Sequence, residues 1–266
     1  MTTFQISKDG QKEKSYAAGS SVIAAIGLTT FKLIVGLATG SLGILAEAAH
    51  SALDLIAAIM TYFAIKISGK PADHNHLYGH GKVENLSALL ETVLLLVTCA
   101  WISYEAIYRI FIKHAEVEVS IWSFVVMATS IVIDVSRSRI LSRTAKKYNS
   151  QALEADALHF STDIWSSAVV ILGLIGVIIS RLGPSLAFVH EADSVAALIV
   201  VAIVIYVTIR LGIRTIQGLT DVAPRGLEQK IIETVRAMPE VKNCHKVRVR
   251  SSGPQIFVDI HVLVDG

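Results

Sequence analysis

The order of hydrophobic and polar positions divides this chain into long apolar runs separated by short charged clusters. Six runs approach or exceed the length of about 20 residues that a membrane-crossing helix needs: roughly Ala17 to Gly40, Ser41 to Ile67, Asn85 to Phe111, Ser120 to Ser138, Ala155 to Ser180 and Asp193 to Ile213. The pattern predicts an all-α membrane fold, a six-transmembrane-helix bundle over residues 17–220, after a polar N-terminal segment at 1–16. Met1 to Lys14 has no apolar core of its own, and the run after it is too long for a signal peptide, so no cleaved targeting segment is expected. Past Asp221 the period changes. Arg225 to Met238 reads as a short amphipathic helix through Ile231, Ile232 and Val235, ended by Pro239. Two strands follow, alternating at Val247 and Val249, then at Ile256, Val258, Ile260 and Val262, split by Ser252-Gly253-Pro254. One helix and two strands are too little for an independent core, so residues 221–266 are expected to lean on a partner or to be incomplete.

Composition sharpens this picture. Hydrophobic residues make up 53% of the chain and charged ones 17%, with mean hydropathy +0.57, which excludes an ordinary soluble domain. A net charge of +2 gives no footing for nucleic acid. Lys and Arg near the run ends are unequally shared: fourteen, from Lys8 to Arg225, lie on the side of the termini, and only Arg109, Lys113 and Arg181 on the other. That bias puts both termini in the cytoplasm. Cys99 in an apolar run and Cys244 in the tail form no framework for a disulfide or a thiolate metal site.

Candidate chemistry sits inside the apolar runs, where an ionisable side chain is expensive and usually functional. His50/Asp54 and His159/Asp163 are two pairs with the same spacing. Residues four apart share a helix face, so each pair aims one imidazole and one carboxylate at one point. At about 1.5 Å per residue, His50 lies roughly 13 Å below the outer end of its run, and His159 and Asp163 roughly 13 and 19 Å above the inner end of theirs. All four therefore come near the midplane and can oppose each other as an N2O2 set. That set suits tetrahedral Zn2+, with Fe2+, Cd2+ and Co2+ as competitors. The plain alternative is an interhelical hydrogen bond in each run, which matched spacing and depth disfavour. Glu47, one turn before His50, is expected to bond a neighbouring helix near the outer mouth, or to orient the imidazole. Glu91, Glu105 and Asp134 read as packing or dimer contacts, with Arg137 placed to pair with Asp134. Lys32 is expected to snorkel outward. Between the second and third runs, Asp73, His74, His76 and His80 form a dense ligand cluster on a loop. Gly79-His80-Gly81-Lys82 lacks the preceding strand and the spacing of a phosphate loop.

The segments A-E-A-A-H-S-A-L-D at Ala46 to Asp54, E-A-D-A-L-H-F-S-T-D at Glu154 to Asp163 and P-A-D-H-N-H-L-Y-G-H-G-K at Pro71 to Lys82 resemble the cation diffusion facilitator family of divalent-metal transporters. The likeness runs the length of the chain. It implies a midplane transport site of His50, Asp54, His159 and Asp163 similar to that of the zinc-preferring branch. It also implies a cytoplasmic loop site at Asp73, His76 and His80 and an ionic latch between Lys82 and Asp221 near a dimer interface. In the tail, His245 and His261 match positions that bind zinc in a ferredoxin-like, metallochaperone-like α+β domain. The second helix and last strand of that domain, which carry further ligands, would follow Gly266. The resemblance to bacterial zinc and iron exporters implies a homodimer in the inner membrane.

The expected function is Zn2+/H+ antiport out of the cytoplasm, with metal ions and protons as partners and no enzymatic activity. Metal binds only deprotonated imidazole, so binding releases protons. A membrane zinc metallohydrolase is the alternative from another class, but no H-E-x-x-H motif occurs. A metal-sensing scaffold without transport is the third reading.

Overall fold

The computed structural model describes residues 8–111, 121–180, 188–224 and 226–264. Lys113, Arg181 and Arg225, and the side chains of Lys8, Glu105 and Arg109, lie outside the described residues. The elements are α1 (Lys8–Thr39), α2 (Leu42–Ser68), α3 (Lys82–Phe111), α4 (Ile121–Tyr148), α5 (Gln151–Ser180), α6 (Phe188–Leu219), α7 (Leu227–Arg236), β1 (Val241–Ser252) and β2 (Gln255–Val264). The long helices overrun the apolar stretches that foretell them. The extension of α1 back to Lys8 and of α4 on to Tyr148 uses Lys, Arg, Gln and Glu, good helix formers that need no lipid. Long and apolar enough to cross a membrane are Asp9–Thr39, Leu42–Ser68, Lys82–Trp101 and Ala202–Leu219, four stretches among the described residues against the six expected.

Between α1 and α2 the chain turns within two residues. Gly40 adopts φ +66, a left-handed conformation that glycine takes without a Cβ penalty. Ser41 then caps α2 by accepting a hydrogen bond from the Ile44 amide at 3.4 Å.

α1, α2, α4 and α5 form one group of helices, and α3 and α6 form a pair held to it mainly through α5. Small residues line these interfaces: Ala17 and Ala18 of α1, Ala145 of α4, and Ala152 and Ala157 of α5 surround Ile65, Leu141, Leu153 and Phe160 in the largest buried cluster. Ala88 and Ala155 bring α3 against α5. Such residues let helices approach where lipid removes the hydrophobic drive between them. Large apolar side chains instead face out, including Ile23, Leu37, Leu53, Ile56, Val97 and Trp101.

In the tail the expected hairpin is present, antiparallel, with Cys244 opposite Val262 and Arg250 opposite Phe257. α7 packs on β1 but buries none of its residues, and Ile256, Val258 and Val262 of β2 stay exposed.

Candidate metal centre

α2 and α5 bring their two pairs together. His159 Nε2 lies 3.0 Å from Asp54 Oδ1 and 3.7 Å from Asp163 Oδ2. His50 Nε2 lies 3.8 Å from Asp54 Oδ1 and 3.9 Å from Asp163 Oδ1. A tetrahedron with metal–ligand bonds near 2.1 Å has edges of about 3.4 Å, which these separations bracket. His50, Asp54 and Asp163 offer donors that all lie within 4.8 Å of one another, and His159 stands beside Asp54 and Asp163 but outside that mutually close set. His159 is buried against Phe160, edge to face at 5.5 Å, whereas His50 is 41% exposed. The set is thus open on the His50 side and closed on the His159 side.

The charged residues around the set differ from expectation in one respect. Lys32 is 4% exposed and does not snorkel outward: its Nζ donates to Ser51 Oγ at 2.8 Å and to Glu47 Oε2 at 3.2 Å. Two acceptors on α2 hold the ammonium in the bundle more cheaply than a stretch to water. Glu47 thereby bonds the neighbouring helix. Asp134 pairs with Arg137 at 3.2 Å, and the Arg137 guanidinium stacks 3.5 Å above the Phe160 ring. Glu91 is fully buried inside the bundle, accepting from Thr61 Oγ1.

Two groups escaped the sequence reading. Lys14, assigned above to a polar segment, is helical and 1% exposed, and its Nζ lies 2.5 Å from Glu84 Oε1. Ser68 and Ser150 also donate to that carboxylate, which so ties α1, α2, α3 and α5 together at one end. Asp156, one turn before His159, is buried as well; its spacing of three residues on one helix face was the available signal.

On the loop, His76 Nδ1 lies 3.0 Å from Asp73 Oδ1, and His80 Nε2 3.4 Å from Asp73 Oδ2. These three offer donors within 4.8 Å of one another, and His74 falls outside the set. The His76 backbone amide, at 2.7 Å, holds the Asp73 carboxyl below the usual range, with help from the His76 ring and the Asn75 amide. The loop rests on the C-terminal hairpin. Arg250 stacks 3.4 Å above the Tyr78 ring, Phe257 meets that ring edge to face, and the Gly253 amide donates to Asn85 Oδ1 at 3.0 Å. A Cβ on Gly81 would stand 2.2 Å from the Ser252 carbonyl oxygen, so only glycine permits the approach.

Lys82 Nζ meets Asp221 Oδ1 at 2.9 Å and the Leu219 carbonyl at 3.2 Å. Both side chains are 41% exposed. Lys82→Ala should therefore lower stability by less than about 1 kcal/mol in a detergent melt; a larger loss would mean that the pair is buried in an assembly. His245 and His261 face each other across β1 and β2 with ring centroids 5.4 Å apart, and no third donor joins them among the described residues.

Profiles of known families match the chain along nearly its whole length: a cation efflux transmembrane domain over residues 20–220 and a cation efflux protein cytoplasmic domain over residues 223–266. Similar curated proteins include cation-efflux pump FieF of Shewanella oneidensis, 31% identical over 94% of this chain and 82% of its own length. The pump of that name from Yersinia enterocolitica is 31% identical over 94% and 80%, and that from Salmonella arizonae 30% identical over 93% and 80%.

Proposed function

The chain belongs to the cation diffusion facilitator family of cation efflux transporters, and from that premise we propose that it exports Zn2+ in exchange for protons through His50, Asp54, His159 and Asp163. Family membership makes it an integral membrane transporter of divalent cations and not an enzyme; the hydrolase and the transport-free sensor have no support in these likenesses.

One observation carries the reading: His50 and Asp54 of α2 and Asp163 of α5 offer donors within 4.8 Å of one another, and His159 of α5 lies 3.0 Å from Asp54. An equal mix of imidazole and carboxylate favours a borderline ion of tetrahedral habit, which is Zn2+ before Fe2+, Cd2+ or Co2+. Six helices cross the membrane, residues 17–220 form the transport domain and 221–266 the cytoplasmic one, and both termini face the cytoplasm of a bacterial inner membrane. In that orientation the start of α2 is outer, so the site opens outward through His50. The buried cluster around Ile65 and Phe160, with Lys14 and Glu84 beyond it, seals the inner side. Zn2+ reaches the set when the helices rock inward and leaves when they rock back. The exposed apolar face of β2 pairs with a second copy, with Lys82 and Asp221 fastening the bundle beside that contact. Asp73, His76 and His80 collect metal on the cytoplasmic face, and His245 and His261 contribute to a further site in the tail.

The test is ion uptake by proteoliposomes under an imposed pH gradient, across Zn2+, Fe2+, Cd2+ and Co2+. Zinc should move fastest and only with opposing proton flow; zinc movement without protons, or faster iron, would overturn the assignment. The loop site has its own pH signature. In an Asp163→Ala background, zinc affinity of the loop should fall as the pH is lowered from about 7.5 to about 5.5, because metal binds only the deprotonated imidazoles of His76 and His80. Asp73, held ionised below its usual range, contributes nothing to that loss. Calorimetric titration showing a flat affinity would remove His76 and His80 as ligands.

A further inference from the structure

Three buried polar atoms on the inner side of the metal set have no hydrogen-bond partner in the protein: Glu91 Oε2, Asp156 Oδ1 and His159 Nδ1. Glu91 is 0% exposed and Asp156 1%. Their carriers converge. Ala88 and Ala155 share one buried cluster between α3 and α5; Glu91 lies one turn along α3 from Ala88, and Asp156 one turn before His159 on α5. Glu91 and Asp156 are within electrostatic reach of each other and of His159. Of the other oxygens, Glu91 Oε1 accepts from Thr61 of α2 and Asp156 Oδ2 from Ser21 of α1 at 3.5 Å.

Asp54 of α2 adds negative charge near Asp156, and His159 is committed to the metal set. Arg137 of α4 is the cation nearest Asp156, but its nitrogens go to Asp134 and Ser21 and its plane to Phe160. Two buried carboxylates within electrostatic reach, each with a free oxygen and, among the described residues, no cation bonded to either, are very costly in a dry interior, and a bound proton relieves them most simply. The three orphaned atoms are not close enough to chelate a metal ion: the described triads within 4.8 Å lie elsewhere.

We propose that Glu91 and Asp156 form the proton-carrying pair of the transport cycle, separate from the four metal ligands. This rests on the exchange reading above and names where the exchanged proton travels. When a divalent ion reaches the set from the cytoplasm, its two positive charges stand one helical turn from the pair. A carboxylic O–H bond breaks, the electron pair stays on the carboxylate, and the proton passes to cytoplasmic water. When the ion leaves outward, the carboxylate takes a proton back from the outer solution. The departing proton thus offsets one of the ion's two positive charges in the interior.

The experiment uses the full chain in proteoliposomes with an interior pH dye and a zinc dye, comparing wild type with E91Q, D156N and the double variant. The amides keep size and shape, and detergent melts and zinc titration verify each protein. Zinc affinity should weaken by about tenfold and lose part of its pH dependence, because a proton expelled by zinc must strengthen zinc binding by the same coupling, while the protons moved per zinc fall by about one and pH-driven uptake drops about tenfold. Unchanged proton-to-zinc ratio and pH profile in both single variants would overturn the pair. So would loss of zinc binding in folded protein, since that would make the pair part of the metal set. If one amide variant does not fold, the other decides on the same readouts; if neither folds, the pair is structural and the proposal fails. A wild type that moves zinc without protons would instead sink the exchange reading itself.

Discussion

Asp163→Ala will abolish metal transport while leaving a folded protein. Asp163 supplies one of two oxygen donors, facing His159 at 3.7 Å and His50 at 3.9 Å across α2 and α5. Removing it leaves three donors and an open position in a site that must strip an ion of water. Outer-shell changes at metal sites already cost about 10- to 100-fold, so losing a direct ligand should cost more than about 100-fold in flux. Asp163→Asn, which keeps the shape and removes the charge, should be nearly as defective. Zinc uptake by proteoliposomes is the measurement, with a detergent melt to verify folding. Uptake within a few-fold of wild type would dismiss the four-donor set.

Lys14→Met will be among the most destabilising single changes in the chain. It leaves Glu84 as an uncompensated carboxylate at 0% exposure, held only by the hydroxyls of Ser68 and Ser150. Breaking a buried pair in this way costs about 3–5 kcal/mol, whereas replacing both partners by neutral groups is often close to neutral. The double variant Lys14→Met/Glu84→Gln should therefore recover most of the melting temperature lost by Lys14→Met alone. Recovery, and not the size of the first loss, is the decisive reading: if the double variant melts as low as the single, the two side chains are not coupled.

What could be read from the residues alone followed physical strength of signal. Lipid forbids unpaired backbone polar groups, so apolar runs of membrane length announce helices with little ambiguity. The His50/Asp54 and His159/Asp163 spacings stood out against that apolar background, and α2 and α5 place His159 3.0 Å from Asp54 and His50 3.9 Å from Asp163. Helix ends were less legible, because Lys, Arg and Glu continue a helix into water as readily as they end one; α4 runs ten residues past Ser138 for that reason. Lys14 and Lys32 run against the usual preference of lysine for solvent. Each is instead buried by a partner far away in the chain, Glu84 and Glu47, and nothing local announces such pairings. Asp156 lay in plain view within a motif whose other members attracted the attention. The seating of the loop on Ser252-Gly253 depends on backbone shape, for which residue type gives only a hint through Gly81.

The opening ten residues of α3 carry several otherwise unrelated attachments. Lys82 reaches Asp221, Glu84 receives Lys14, Asn85 binds both Gly253 and Gln151, and Glu91 meets Thr61. Since a helix behaves as a stiff rod over this length, none of these can be released by degrees while the others hold. The molecule should consequently flip between alternatives like a toggle, with half-open forms too rare to detect.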